Sequence, residues 1–199
     1  MSWNIDVICF AVFDFNFNVR LKFQNFLTVQ AIEAEPETDV LAEHLHSLSR
    51  CVELLGMGCL SEQHMGELIK IMLKTLAEHY ERQGEREGKR RDEDYDEGVE
   101  EQLEEEDDED VYVLSKLGDL IHALFSTHKE AMIPVFDQLL PSVVKLLDRG
   151  HPWSDHQWGL CIFDDVVEFL GPASAKYQEH FLQPILHYVT SQQPEVSRN

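Results

Sequence analysis

The chain has 199 residues, of which 43% are hydrophobic, and this is enough apolar material for a sizeable core rather than a wholly disordered chain. It carries 16 Lys and Arg residues against 38 Asp and Glu residues, a formal net charge of -22, so its electrostatic field repels nucleic acid and anionic lipid. We therefore expect basic partners, and no direct binding to nucleic acid or membrane.

The cysteines and the apolar runs indicate a protein of a reducing compartment. The four cysteines form no CxxC pair and are too scattered for a disulfide framework: Cys9, Cys51, Cys59 and Cys161. The longest apolar run, residues 7–13, is shorter than a membrane helix, and no signal-peptide pattern accompanies it. These features favour the cytosol or the nucleus.

Residues 1–34 form a Phe-rich segment whose pattern differs from the rest of the chain. Phe13, Phe15 and Phe17 alternate with other residues at the spacing of a half-buried strand, and the segment matches no other part of the sequence. We expect an irregular segment that does not belong to the main fold. An end-capping element is the alternative.

Residues 35–84 predict a pair of helices. Apolar residues recur at helical spacing over 41–55 and again over 65–76, which gives each helix one apolar stripe. Gly56 provides a stop for the first helix, and Ser61 opens the second. Helices joined by so short a connection pack antiparallel, because each then covers the apolar stripe of the other.

Residues 85–110 predict a disordered acidic loop. Residues 92–110 alone contain 14 carboxylates and no cation. Such a segment has too little apolar surface to offset the entropy of ordering it, at about 1 to 2 kcal/mol per residue. Helical repeats tolerate insertions between helices, so we expect this loop to extend from one rim of the fold.

Two further helix pairs are predicted, over residues 111–150 and 151–193, and residues 194–199 form the truncated start of another. Superposing residues 139–146 on residues 181–188 requires an offset of about 42 to 43 residues, which lies within the period of HEAT and armadillo repeats. The sequence therefore predicts an all-α, armadillo-like superhelix of about three HEAT-like helical hairpins with an acidic loop insertion.

The histidines do not form a recognisable metal site. His44 with His46 and His151 with His156 are the nearest pairs, and neither has the i, i+3 or i, i+4 spacing that places two ligands on one helix face. The sequence fixes no third ligand. We therefore expect exposed polar positions, with no metal and no cofactor.

Nothing in the sequence indicates catalysis. The chain has no Gly-rich phosphate loop, no nucleophile elbow and no zinc signature. Asp164, Asp165 and Glu168 could form an acid and base group, but a helix surface rarely provides the cleft that such chemistry needs. Asp165 is better explained by a bond to neighbouring helix ends or turns. We expect no enzyme and no catalytic residue, and we take Trp153 and Trp158 as candidate packing or binding aromatics.

The acidic run is the candidate binding site. It has two interpretations, a solvated insertion without a partner or an attractant for basic ligands. Under the second interpretation, the candidate contacts are Asp92, Glu93, Asp94, Asp96, Glu97, Glu104, Glu105, Glu106, Asp107, Asp108, Glu109 and Asp110.

A family resemblance rests on three strings, at residues 91–97 (RDEDYDE), 110–114 (DVYVL) and 152–166 (PWSDHQWGLCIFDDV). They resemble the karyopherin beta-3 family of importin beta-type nuclear transport receptors, also called the importin five or Ran-binding protein five family. The resemblance runs in order over residues 36–196. The longest string is too specific for a chance match.

The resemblance implies a nuclear import receptor. Such receptors carry basic cargo proteins with nuclear localisation signals, including ribosomal proteins and histones, and release them on binding Ran-GTP. They interact with nucleoporins and shuttle between the cytoplasm and the nucleus. This chain would be a fragment of the C-terminal half, and because residues 1–30 do not match, we expect a truncated or mis-spliced product. The competing hypothesis is a non-transport helical-repeat scaffold or adaptor with a solubilising acidic spacer.

Overall fold

The computed structural model describes residues 31–32, 35, 37–57 and 60–190, so most of the Phe-rich segment and all of residues 194–199 lie outside the described residues. Most of the described chain is in the helices α1 (Thr38–Leu55), α2 (Glu62–Lys89), α3 (Glu97–His128), α4 (Ile133–Lys145), α5 (Trp153–Leu170) and α6 (Gln178–Thr190). Short 3-10 helices precede α4 and α6, at Lys129–Met132 and Gly171–Tyr177. Within the described ranges there is no strand, and no helix is long and apolar enough to cross a membrane.

The helices form two layers. Helices α1, α3 and α5 pack side by side in the first layer, where the Tyr112 hydroxyl of α3 donates to Glu43 of α1 at 2.6 Å. In the second layer α2 packs on α4, and the Tyr80 hydroxyl donates to the backbone carbonyl of Ser142 at 2.6 Å. Successive helices alternate between the layers, which is the arrangement of stacked helical hairpins. The all-α prediction is confirmed.

One continuous apolar core lies between the layers. Phe136 of α4 contacts the rings of Phe125, Phe163 and Tyr177 edge-on, with centroid distances of 5.4, 5.9 and 5.0 Å. All four rings are at most 1% exposed. Each such pair contributes about 0.5 to 1.5 kcal/mol beyond its buried area. The rings therefore join α3, α4 and α5 and the 3-10 helix before α6 into one unit.

The repeat period is visible in the backbone. The residue that follows α3, Lys129, has φ 48° and ψ -125°, and the residue that follows α5, Gly171, has φ 52° and ψ -127°. A 3-10 helix follows each end, and the next helix then contains an internal proline, Pro141 in α4 and Pro184 in α6. The spacing of these equivalent positions agrees with the offset that the sequence predicts.

Residues 85–110 are not a disordered loop, and the prediction was wrong. Residues 85–89 complete α2, residues 90–96 form a turn, and residues 97–110 are the first half of α3. The prediction considered the acidic run alone, whereas the end of α2 supplies cations that neutralise one side of it. We call residues 82–110 the arm.

Local signals also favour a helix in the acidic part of the arm. The Asp96 carboxylate caps α3, because it accepts a hydrogen bond from the backbone N–H of Val99 at 2.9 Å. Glu97 and Glu100 lie in the first turn, where negative charge interacts favourably with the helix dipole. Leu103 is 1% exposed and provides an apolar contact inside the arm.

Candidate functional site

Ion pairs join the two helices of the arm along their facing sides. Nη2 of Arg86 lies 2.5 Å from Oδ2 of Asp110, and Nε of Arg86 lies 2.6 Å from Oδ1 of Asp107. Arg82 contacts the other oxygen of Asp110, also at 2.6 Å. The side chains of Arg86 and Asp110 are each 3% exposed. The carboxylates on this side of α3 are therefore matched by cations of the same chain.

Residues 90–96 form the tip of the arm. There Arg90, which directly follows α2, contacts two carboxylates of α3. Its Nε lies 3.1 Å from Oε2 of Glu100, and its Nη2 lies 2.7 Å from Oδ2 of Asp107. The Tyr95 hydroxyl donates to the same oxygen of Glu100 at 2.9 Å. The bonds from Arg90 and Tyr95 hold the pKa of Glu100 below its usual range, and the bond to Glu100 raises the pKa of Tyr95. Guanidinium, carboxylate and phenol form one network.

The opposite side of α3 carries carboxylates without a partner cation. They recur at helical spacing on one face, and we call them the acidic stripe: Glu97, Glu101, Glu104, Glu105 and Asp108. All are exposed, and none forms an ion pair with a described residue. Residues at this spacing lie within about 100° of the helix circumference. The stripe therefore presents its charges in one direction.

The predicted contact residues fall into three groups. Asp107 and Asp110 pair with arginines of α2, and Glu106 lies 3.4 Å from Nζ of Lys89. The Asp92 carboxylate accepts a backbone hydrogen bond in the turn at the tip, as that of Asp96 does at the start of α3. The remaining residues are exposed and form no ion pair or hydrogen bond through their carboxylates with the described part of the chain: Glu93, Asp94, Glu97, Glu104, Glu105, Asp108 and Glu109.

The prediction omits two features of the arm. Glu101 belongs to the acidic stripe but is absent from the predicted contacts. Arg82 and Arg86 lie four residues apart on one face of α2, and Arg90 continues this spacing at the residue that follows the helix. This basic spacing directly before an acidic run is a sequence signal for a charge-paired helical hairpin.

The two candidate aromatics lie in different environments. Trp158 packs on α3 so closely that a Cβ on Gly118 would lie 2.9 Å from Cε3 of its ring. Trp153, the first residue of α5, is 37% exposed. Trp158 therefore fixes the contact between α3 and α5.

A buried carboxylate ties α2 to α5 at some distance from the stripe. Asp155 is 0% exposed, and its oxygens lie 3.0 Å from Nε2 of His79, 3.0 Å from Nδ1 of His151 and 3.2 Å from Nε2 of Gln83. Burial raises the pKa of Asp155, but the hydrogen bonds, that from His79 first, outweigh burial and hold this pKa below its usual range.

Asp164, Asp165 and Glu168, which we considered as an acid and base group, lie in different surroundings. Asp165 lies 2.7 Å from Nδ1 of His122 on α3, whereas Asp164 and Glu168 are exposed. Burial raises the pKa of Asp165, and the bond to His122 only partly opposes this effect. Asp165 thus bonds a side chain in the last two turns of the neighbouring helix. Nowhere in the described ranges do three or more His, Cys, Asp or Glu side chains form a group that could hold a metal ion.

Comparison with known families assigns the class of the chain. Residues 40–149, more than half of the sequence, match the family described as Importin repeat 6. The chain therefore belongs to this importin repeat family, which agrees with the importin-type resemblance of the sequence.

Solved structures of the karyopherin Kap121p share the fold. Kap121p bound to the SUMO protease Ulp1p matches with a TM-score of 0.74 and 18% identity over 90% of this chain. Kap121p bound to Nup53p matches with a TM-score of 0.71 and 17% identity over 90%. Kap121p bound to the extreme C-terminus of the protein phosphatase Cdc14p matches with a TM-score of 0.72 and 18% identity over 94%. The chain covers 16% of the length of each Kap121p chain. The predicted HEAT-repeat superhelix is confirmed.

Proposed function

We propose that this chain is a cargo-binding segment of a nuclear import receptor of the karyopherin beta-3 type, from the C-terminal half of the receptor. Its importin repeat and its fold support this assignment. Kap121p, which shares the fold, is described in complexes with Ulp1p, Nup53p and Pho4p. In this proposal the complete receptor binds Ran-GTP and nucleoporins and shuttles between the cytoplasm and the nucleus.

The acidic stripe is the observation on which the cargo assignment depends. Its carboxylates are exposed, and no cation of the described chain neutralises them. Nuclear localisation signals carry Lys and Arg residues in series, and a series of carboxylates on one helix face complements that charge. Strongly basic cargo, such as ribosomal proteins and histones, fits this surface.

The inner side of the arm has a different role in the proposal. Asp107 and Asp110 hold Arg86, which is 3% exposed, and a ligand that removed them would leave a buried cation unpaired. We therefore assign cargo contact to the exposed carboxylates of the stripe and the tip. The inner ion pairs keep α3 helical, so the stripe remains ordered.

A binding measurement on the full chain tests this function. The ligand is a fluorescent peptide with a Lys- and Arg-rich nuclear localisation signal, and anisotropy is recorded at low and high salt. The variant combines Glu101→Gln, Glu104→Gln, Glu105→Gln and Asp108→Asn. We expect an affinity roughly tenfold lower and a weaker salt dependence, because each exposed charge pair contributes about 0.2 to 1 kcal/mol and is screened by salt.

The control variant removes the same number of exposed carboxylates from other elements: Glu62→Gln, Glu81→Gln, Glu130→Gln and Asp164→Asn. Both variants change the net charge equally, so nonspecific attraction falls equally in both. Equal losses of affinity would contradict a specific role for the stripe. Unchanged binding in the stripe variant would instead favour an adaptor whose acidic segment only solubilises it.

A further inference from the structure

Tyr95 occupies an unusual position at the tip of the arm. It lies in the turn of residues 90–96, outside both helices, and the residue is 41% exposed. A protein kinase binds its substrate as an extended segment, and a turn can be extended without melting a helix. Tyr95 is therefore accessible in a form that an enzyme can bind.

The residues around Tyr95 are strongly acidic. Asp92, Glu93 and Asp94 precede it, and Asp96 and Glu97 follow it. A kinase whose substrate groove is basic attracts such a segment through complementary charge. The flanking charges thus indicate the class of enzyme that would recognise this tyrosine.

The structure also contains a cation beside the tyrosine hydroxyl. Oη of Tyr95 lies 2.9 Å from Oε2 of Glu100, and Nε of Arg90 lies 3.1 Å from the same oxygen. A phosphoryl group on Oη would therefore lie within reach of the Arg90 guanidinium. Phosphate binds guanidinium more strongly than a carboxylate does, because it carries more charge and three acceptor oxygens.

We propose that Tyr95 is a phosphorylation site for an acid-directed protein tyrosine kinase, and that its phosphate displaces Glu100 from Arg90. The phenolic oxygen attacks the γ-phosphorus of ATP, the bond to the bridging oxygen breaks, ADP leaves, and the phenolic proton passes to the base of the kinase. The phosphate adds about -1.5 to -2 charge to the arm. Phosphorylation of Tyr95 does not depend on the transport role of the chain.

Tyr112 provides an internal control. It is 40% exposed, close to the exposure of Tyr95, and its hydroxyl also bonds a carboxylate, that of Glu43. However, Tyr112 lies within α3 between Val111 and Val113, so a kinase would have to unfold the helix before it could bind this tyrosine. If exposure alone decided the reaction, the kinase would phosphorylate Tyr95 and Tyr112 equally. The turn and the flanking acidic residues instead predict a preference for Tyr95.

The first experiment incubates the full chain with ATP and a tyrosine kinase that phosphorylates a Glu-Tyr copolymer, and maps the product by mass spectrometry. We expect Tyr95 to be modified at least about tenfold faster than Tyr112, since local unfolding limits the second reaction. Tyr95→Phe should remove most of the incorporation. Equal rates at the two tyrosines, or no phosphate on Tyr95 while the copolymer is phosphorylated, would overturn the site.

The second experiment tests the partner of the phosphate. Phosphorus NMR follows the titration of phosphorylated Tyr95 in the wild type and in Arg90→Gln. A guanidinium stabilises the dianion, so the pKa of the phosphate should be lower in the wild type than in the variant. Circular dichroism checks that the variant retains its helices. Identical titration curves would show that Arg90 does not bind the phosphate.

Discussion

The guanidinium of Arg86 pairs with the carboxylate of Asp110 across the arm, and each side chain is only 3% exposed. Both charges are removed from water, so each depends on the other for compensation. Arg82 adds a second cation to Asp110, and Asp107 adds a second anion to Arg86. The pair is therefore the electrostatic centre of the arm.

Removing one member of this pair should destabilise the chain. We expect Arg86→Gln to lower the free energy of unfolding by about 3 kcal/mol, because Asp110 remains buried with only Arg82 beside it. Urea denaturation followed by circular dichroism measures the change. Arg91→Gln is the control, since Arg91 is 79% exposed and pairs with Glu87 on the surface; it should change stability by less than about 0.5 kcal/mol. Similar losses in both variants would disprove the buried role of Arg86.

The contact between α3 and α5 should not tolerate a larger residue at position 118. A Cβ at Gly118 would meet the rigid ring of Trp158 at 2.9 Å, so Gly118→Ala should cost about 1 to 3 kcal/mol. Gly84 of α2 has nothing within 4 Å of such a Cβ, so Gly84→Ala should stabilise by about 0.5 to 1 kcal/mol. Thermal unfolding of the two variants should show a lower stability for Gly118→Ala and a higher stability for Gly84→Ala. Adding Trp158→Phe to Gly118→Ala should recover part of the loss.

The backbone at the end of α3 should favour glycine. Lys129 has φ 48° and ψ -125°, a conformation that L side chains rarely adopt, and the equivalent residue at the end of α5 is Gly171. We expect Lys129→Gly to stabilise the chain by about 1 kcal/mol, because it relieves this strain. Gly171→Ala should destabilise by a similar amount. A loss of stability in Lys129→Gly, measured by urea denaturation, would contradict this account.

Asp155 should make the stability of the chain depend on pH in the acidic range. Its folded pKa lies below the usual range, so its contribution is complete above the unfolded pKa of about 3.9 and disappears as the pH falls through the folded value. We expect Asp155→Asn to lose about 2 kcal/mol at neutral pH and to show a shallower decline of stability below about pH 4. Urea titrations at several pH values measure both effects. Glu130→Gln, at an exposed site away from these contacts, should leave the pH profile unchanged.

A high salt concentration should increase local opening of the arm more than local opening of the core. Residues 97–109 are stabilised largely by ion pairs with α2, whereas residues 113–125 contribute many buried apolar side chains to the core. High salt weakens ion pairs at the surface, so hydrogen exchange in 97–109 should accelerate while exchange in 113–125 remains slow. Equal acceleration in both segments would show that salt destabilises the whole fold.

Apolar periodicity was sufficient to predict the helices that pack against other apolar faces. Phe136 and Leu139 of α4, for example, are both 0% exposed, as the spacing of their helix requires. The same reasoning failed at residues 97–110, because the partners of that segment are charged. Its helix depends on Arg86 and Arg90, which lie earlier in the chain and become neighbours only when the hairpin forms.

The sequence locates the acidic run that contains the stripe, but it does not show how the carboxylates of that run divide between the two faces of α3. Composition identifies the run of carboxylates, yet it cannot tell which of them face α2. Asp110 and Asp108 are two residues apart, and one is 3% exposed while the other lies on the open face of the helix. Only the rotation of α3 about its axis, fixed by its contacts with α2, separates the two roles.

The length of α3 has a consequence for how a partner first meets the chain. This helix has 32 residues, while its neighbours α1 and α5 have 18 each, so it is longer by about 20 Å at 1.5 Å per residue. That excess exceeds the screening length of about 8 Å in physiological salt. Under the proposed function, a flexible cationic tail would therefore meet the N-terminal part of α3 before it reaches the rest of the molecule.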